Sequence, residues 1–134
     1  MAGSRPPVGS NPTPSARCQL NFPPMGGKYY VVLITAPVEK GEEIARFIVE
    51  RKLGACVNIV PQVRSLYWWR GKVEDDGESL LVVKTSAERF PKLVEEVKKI
   101  HPYTVPEIIA LPIAEGNTDY LKWIDESLSQ SGEG

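Results

Sequence analysis

Apolar side chains run almost without interruption from Tyr29 to Ala36, in the order Tyr-Tyr-Val-Val-Leu-Ile-Thr-Ala, before Pro37 stops the run. A β-favouring segment with no polar side predicts a central strand covered on both faces. From Glu39 to Leu53 the pattern changes period. Ile44, Phe47, Ile48 and Val49 fall near helical spacing, opposite Glu42, Glu43, Arg46 and Glu50, and Gly54 supplies a stop. Ala55 to Val60 returns to strand character, Pro61 interrupts it, and Val63 to Trp69 resumes it. An Arg70-Gly71 turn then predicts a hairpin whose second arm runs from Lys72 to Thr85, with a bulge at Glu74-Asp75-Asp76-Gly77. Thr85-Ser86-Ala87-Glu88 has the form of a capping box. Behind it Phe90, Leu93, Val94, Val97 and Ile100 mark the clearest amphipathic helix, closed by His101-Pro102. Glu107 to Ala114 reads as a further strand and Asn117 to Leu128 as a last helix, packed through Tyr120, Leu121, Ile124 and Leu128.

The order is β-α-β-β-α-β followed by a helix. That is the α+β ferredoxin-like split βαβ arrangement, an antiparallel sheet with helices on one face. Two consequences follow. The second sheet face is left bare. The long hairpin strands would each rise roughly 45 Å if straight, at about 3.3 Å per residue, against a radius of gyration near 13 Å for a domain of about 100 residues. At the hairpin end, Tyr67 and Trp69 share one face while Trp68 takes the other, so both faces need cover. A second copy of the chain is the simplest cover, and a closed homo-oligomer is the expectation.

Composition adds limits. Residues 1–27 are rich in Pro, Ser and Gly and carry little that builds a core, so they read as a disordered tail before a domain spanning 28–134. The tail has Arg5 and Arg17 but no acidic residue, a bias that organelle-targeting peptides share; it lacks the apolar centre of a signal peptide. The net charge of −1 and the absence of a basic cluster give no reason to expect nucleic acid. No apolar run approaches the roughly 20 residues of a membrane helix. Cys18 and Cys56 make a poor disulfide pair, which favours a reducing, cytoplasmic setting.

The blocks Leu33-Ile34-Thr35-Ala36-Pro37, Ala55-Cys56-Val57-Asn58, Ser65 to Lys72, Leu81-Val82-Val83-Lys84-Thr85 and His101 to Glu107 resemble the signature segments of the CutA family of divalent-cation-tolerance proteins. The resemblance runs from Tyr29 to about Leu128. It implies a homotrimer whose sheets and hairpins pack about a three-fold axis, a role in copper or other divalent-cation tolerance, and a trimeric architecture similar to that of the P-II signalling proteins. Copper binding in a bacterial relative involves a first-strand cysteine and a second histidine; the matching positions here are Ile34 and Ile100, so His101 alone of that set is present.

Candidate chemistry divides into two sets. His101, Cys56 and Glu107 offer an imidazole, a thiol and a carboxylate, donors that suit copper or another weakly bound divalent cation. Each has a plainer role: His101 as a helix cap, Cys56 as a small buried hydrophobe, Glu107 as a solvated strand-end charge or a partner of Lys84. The second set is Tyr67, Trp69, Lys84, Tyr103, Pro106, Glu107, Tyr120 and Trp123, several of which match family positions lining a cleft between subunits. A lysine and a glutamate among aromatics can orient a small anionic or zwitterionic ligand, though interface packing also favours aromatics. The chain has no Gly-rich phosphate loop, Cys-x-x-Cys, His-Glu-x-x-His or nucleophile elbow, and an enzyme is not expected.

Overall fold

The computed structural model of the chain describes residues 27–129. The expected tail, with Cys18, falls almost wholly outside the described residues. Inside them the elements run β1 (Tyr29–Ala36), a 3-10 turn (Val38–Lys40), α1 (Gly41–Glu50), β2 (Cys56–Trp69), β3 (Lys72–Ser86), α2 (Phe90–Ile100), β4 (Ile108–Pro112) and α3 (Thr118–Ser129). The sheet order is β2-β3-β1-β4 and every pairing is antiparallel, the split βαβ topology that the element order predicts.

Pleat alternation sorts the strand residues onto two faces. On the first, Val32 and Ile34 of β1 stand beside Val83 and Leu81 of β3 and meet Ile44, Ile48, Leu93 and Val97 from α1 and α2 in one buried core. On the second, Val31 and Leu33 sit level with Leu111 and Ile109 of β4 and are only half-buried. The expectation that β1 is covered on both faces therefore holds for one face of the single chain. A continuous apolar run reports the burial a strand requires, without saying which chain supplies it.

Three local readings need correction. Helix α1 ends at Glu50, not Leu53. Lys52 takes φ 60° and the Leu53 and Lys52 N–H groups donate to the Ile48 and Val49 carbonyls at 2.9 and 3.1 Å, a Schellman stop with lysine where glycine is usual. Gly54 has another reason to be small: a Cβ there would lie 2.6 Å from Val83 Cγ1 and 2.9 Å from Ile48 Cγ2.

The strand reading also shifts. Pro61 does not break the strand; β2 runs through it, and the register slips between Val60 and Val63. The bulge is thus on β2, while Glu74 to Gly77 pair regularly with Tyr67 to Arg64. Proline lacks an N–H and is tolerated at a bulge on a sheet edge, and β2 is an edge strand. Gly77 accommodates the Gln62 side chain, which a Cβ would meet at 2.8 Å. Finally, Thr85 does not cap α2. Its hydroxyl donates inward to the Leu53 carbonyl at 2.7 Å, while Ser86 Oγ accepts the Arg89 N–H at 3.1 Å.

Candidate functional site

The chemistry-bearing side chains gather on or beside the second sheet face, at three separated places. The first lies where β2 begins. Cys56 and Lys84 are cross-strand partners, and Lys84 Nζ donates to Asn58 Oδ1 and lies 3.9 Å from Cys56 Sγ. Helix α3 brings Tyr120 against the thiol. Burial pushes the Tyr120 phenol above its ordinary pKa, and the neighbouring Cys56 adds to the rise. Tyr120 stacks at a tilt with Trp123, ring centres 5.4 Å apart. The Tyr29 hydroxyl donates to Asp125 at 2.5 Å, which anchors the same helix to β1. Cys56, the free thiol among the described residues, is half-buried rather than sealed in a core.

The second place is the far end of β1, where the segment from His101 to Glu107 crosses from α2 to β4. The Tyr103 N–H donates to His101 Nδ1 at 3.1 Å. That bond assigns the ring proton to Nε2, which donates to the Thr35 carbonyl at 2.8 Å. Tyr103 donates its hydroxyl to Glu78 Oε2 at 2.6 Å, and Glu78 is 1% exposed. Thr35 Oγ1 donates to Glu107 Oε1 at 3.3 Å. His101 is the C-terminal cap residue of α2 through its backbone, whose N–H reaches the Val97 carbonyl. Its side chain bonds across to β1 instead of to the last helical carbonyls.

The third place is the projecting end of the hairpin. The Tyr67 hydroxyl donates to Asp76 Oδ2 at 2.5 Å, and the Arg70 guanidinium lies 4.6 Å from the Trp69 ring centre. Tyr67 and Trp69 are half-buried on one face of this arm, whereas Trp68 on the other is 71% exposed.

These places do not merge within one chain. Lys84 and the Tyr67 level of β3, at Glu74, are ten residues apart, roughly 33 Å along a strand. Cys56 stands level with Val31, four residues from Thr35, so about 13 Å of strand separates the thiol from the His101 end. His101 and Glu107 are joined through Thr35, while Cys56 lies apart from both. Among the described residues no group of three or more His, Cys, Asp or Glu side chains is placed to hold a metal ion. Sequence reasoning missed Thr35, Asn58, Glu78 and Asp76. Counting the β3 alternation back from Lys84 puts Glu78 on the second face, but nothing in the sequence showed that Tyr103 would cover it.

Residues 30–127 match the family model described as CutA1 divalent ion tolerance protein. A divalent-cation tolerance protein CutA from Thermus thermophilus is 59% identical over 98 residues, spanning 72% of this chain and 95% of that one. A rice protein named CutA 1, chloroplastic, is 50% identical over 102 residues, 75% of this chain and 58% of its own. The solved structure of a divalent cation tolerance protein (Cut A1) from T. thermophilus superposes with a TM-score of 0.72 at 58% identity, covering 74% of this chain and 97% of that one. By its fold and by the match from residue 30 to residue 127, the chain belongs to the CutA1 divalent ion tolerance family.

Proposed function

We infer that the protein works as a homotrimeric divalent-cation-response protein, acting by binding rather than catalysis, and takes up copper or a similar ion weakly. The observation that carries the assembly is the separation just described. Lys84 and the Tyr67–Trp69 arm lie roughly 33 Å apart in one chain, and the apolar second face is open, with Leu111 50% and Ile109 49% exposed. A neighbouring copy laying its arm across this face would bring both sets together and bury the leucine and isoleucine. Family membership supports the ion. The candidate donors are Cys56, His101 and Glu107, and the half-buried Cys56 thiol is the softest of them.

Titration of the full chain with Cu(II) and, under reducing conditions, Cu(I) tests the reading beside Cys56→Ser and His101→Ala. Saturable uptake at tens of micromolar, weakened by either substitution, is the expected result. No uptake of either ion sinks the ion-binding reading. Light scattering is expected to give three times the chain mass.

A second reading is favoured by the Lys84–Asn58–Tyr120 cluster, which offers an ammonium and a phenol to a small carboxylate or zwitterion at a subunit boundary. Thermal shifts on adding such compounds, lost in Lys84→Ala with the assembly intact, would establish it. The cytoplasm is the proposed location; the described residues hold no helix long and apolar enough to cross a membrane. Imaging of the tagged full chain separates this from an organelle such as the one in the rice relative's name.

A further inference from the structure

We propose that Cys56 and Lys84 form a redox pair, joined by dioxygen through one bridging oxygen into a link from Cys56 Sγ to Lys84 Nζ. Cys56 and Lys84 are direct cross-strand partners on β2 and β3, so the sheet ladder itself sets the two side chains opposite each other. Lys84 Nζ already donates to Cys56 Sγ at 3.9 Å. Its other hydrogen-bond partner is the neutral Asn58 amide, and among the described residues no carboxylate pairs with this ammonium. Tyr120 of α3 stands against the thiol, which is half-buried. A sulfur and an amine nitrogen are thus held together with no acid to draw the lysine away. Partial burial favours a diatomic oxidant over a bulky one.

The step balances. The thiol gives up its proton and the ammonium gives up two of its three. Sulfur and nitrogen each lose two electrons, and dioxygen takes up all four. One oxygen atom stays as the bridge, bonded to Sγ and to Nζ. The other leaves as water with two of the released protons, and the third proton goes to solvent. The flexible four-carbon stem of Lys84 lets Nζ make the short approach that the link requires, once Asn58 releases it. Two properties of this place then change together. The sulfur no longer carries a free thiol, and a nitrogen bonded to oxygen is too weakly basic to hold a positive charge near neutrality. The cation that the Lys84–Asn58–Tyr120 cluster offers to a carboxylate is therefore lost, and oxidation acts as an off switch. This last consequence rests on the carboxylate or zwitterion reading above; the bridge does not.

Intact-mass spectrometry of the full chain reads the link directly, with Cys18→Ser introduced so that Cys56 is the single thiol. The protein is reduced, freed of reductant and held in air, beside a sample held under argon. A gain of about 14 Da, one oxygen added and two hydrogens removed, is expected in air alone and is reversed by dithiothreitol. Peptide mapping should then find Cys56 and Lys84 in one cross-linked pair. Lys84→Arg keeps the charge but lacks the reactive amine, and is expected to show no such gain. No gain in air, an equal gain in Lys84→Arg, or a cross-link to another residue overturns the proposal. Gains of about 16 or 32 Da that do not depend on residue 84 also overturn it, since they mark ordinary thiol oxidation. If Lys84→Arg fails to fold, the cross-link map of the unaltered Cys56–Lys84 pair decides alone. Thermal shifts with acetate and with glycine test the switch: the reduced protein is expected to respond and the bridged protein not. A shift that survives bridging overturns the switch and leaves the bridge standing. A reduced protein that responds to neither compound overturns the carboxylate reading and the switch with it, while the mass gain still decides the bridge.

Discussion

The two faces of this sheet are built from similar residues and reach different ends. On the first, Ile34, Leu81 and Val83 are fully buried against α1 and α2. On the second, Leu111 and Ile109 remain about half exposed in one chain, and the polar groups form small hydrogen-bonded sets at three separated places. The first face is completed by the chain that makes it. The second keeps apolar area and site chemistry side by side, the combination expected where a partner supplies the remaining cover. The closed core and the candidate site thereby lie on opposite sides of one set of strands.

The sharpest way to break this contrast is Leu111→Lys. The charge is placed at the centre of the proposed interface, where burial without a partner is costly. The expected outcome is a fall in solution mass from three chains to one, with the circular dichroism of a folded domain retained. A trimer surviving that change would place the interface elsewhere. Next in size is a paired truncation. Leu81→Ala should destabilise by about 2–5 kcal/mol in denaturant titration, because it opens a cavity in the closed core. In the dissociated chain Leu111→Ala should cost less than about 1 kcal/mol. Equal costs in that background would mean that the second face is already complete.

A smaller effect, of opposite sign, is expected at the end of α1. Lys52 occupies a left-handed conformation at φ 60°, so Lys52→Gly should stabilise the chain by about 1 kcal/mol, visible as a rise in Tm. The smallest effect concerns the anchor of α3. The hydrogen bond to Asp125 raises the Tyr29 pKa above its ordinary value, with burial and the Asp125 charge adding to the rise. Its contribution is therefore complete below the unfolded tyrosine pKa and is lost as pH rises through the folded one. A stability profile above neutrality should show a shallow alkaline loss that Tyr29→Phe removes.

The contrast between the faces was partly legible beforehand. The apolar run of β1 and the 3.6-residue spacing of α2 placed the first face well, since periodicity is a local property of the chain. The consecutive aromatics from Tyr67 to Trp69 indicated an arm with both sides in need of cover, and Trp68 is indeed largely exposed in the single chain. The bulge was misplaced because Gly77 marks a close approach by Gln62 across the ladder, a contact between strands that no single segment reveals. His101 was visible as a helix-ending residue, yet its bonds run to Thr35 and Tyr103; the first of these partners is far away in sequence.

Sequence by itself determined the order and kind of the elements, the family, and the residue types available for chemistry, because these follow from period, spacing and side-chain identity. Tertiary structure alone decided which of those residues meet. It set Cys56 beside Lys84 and Tyr120, tied His101 and Glu107 through Thr35, and held the hairpin aromatics far from both. The physical reason is that hydrogen bonds and close contacts depend on register and on chain crossings. Those are fixed only when the apolar face of the sheet is closed by its helices, and that closure is a property of the whole fold.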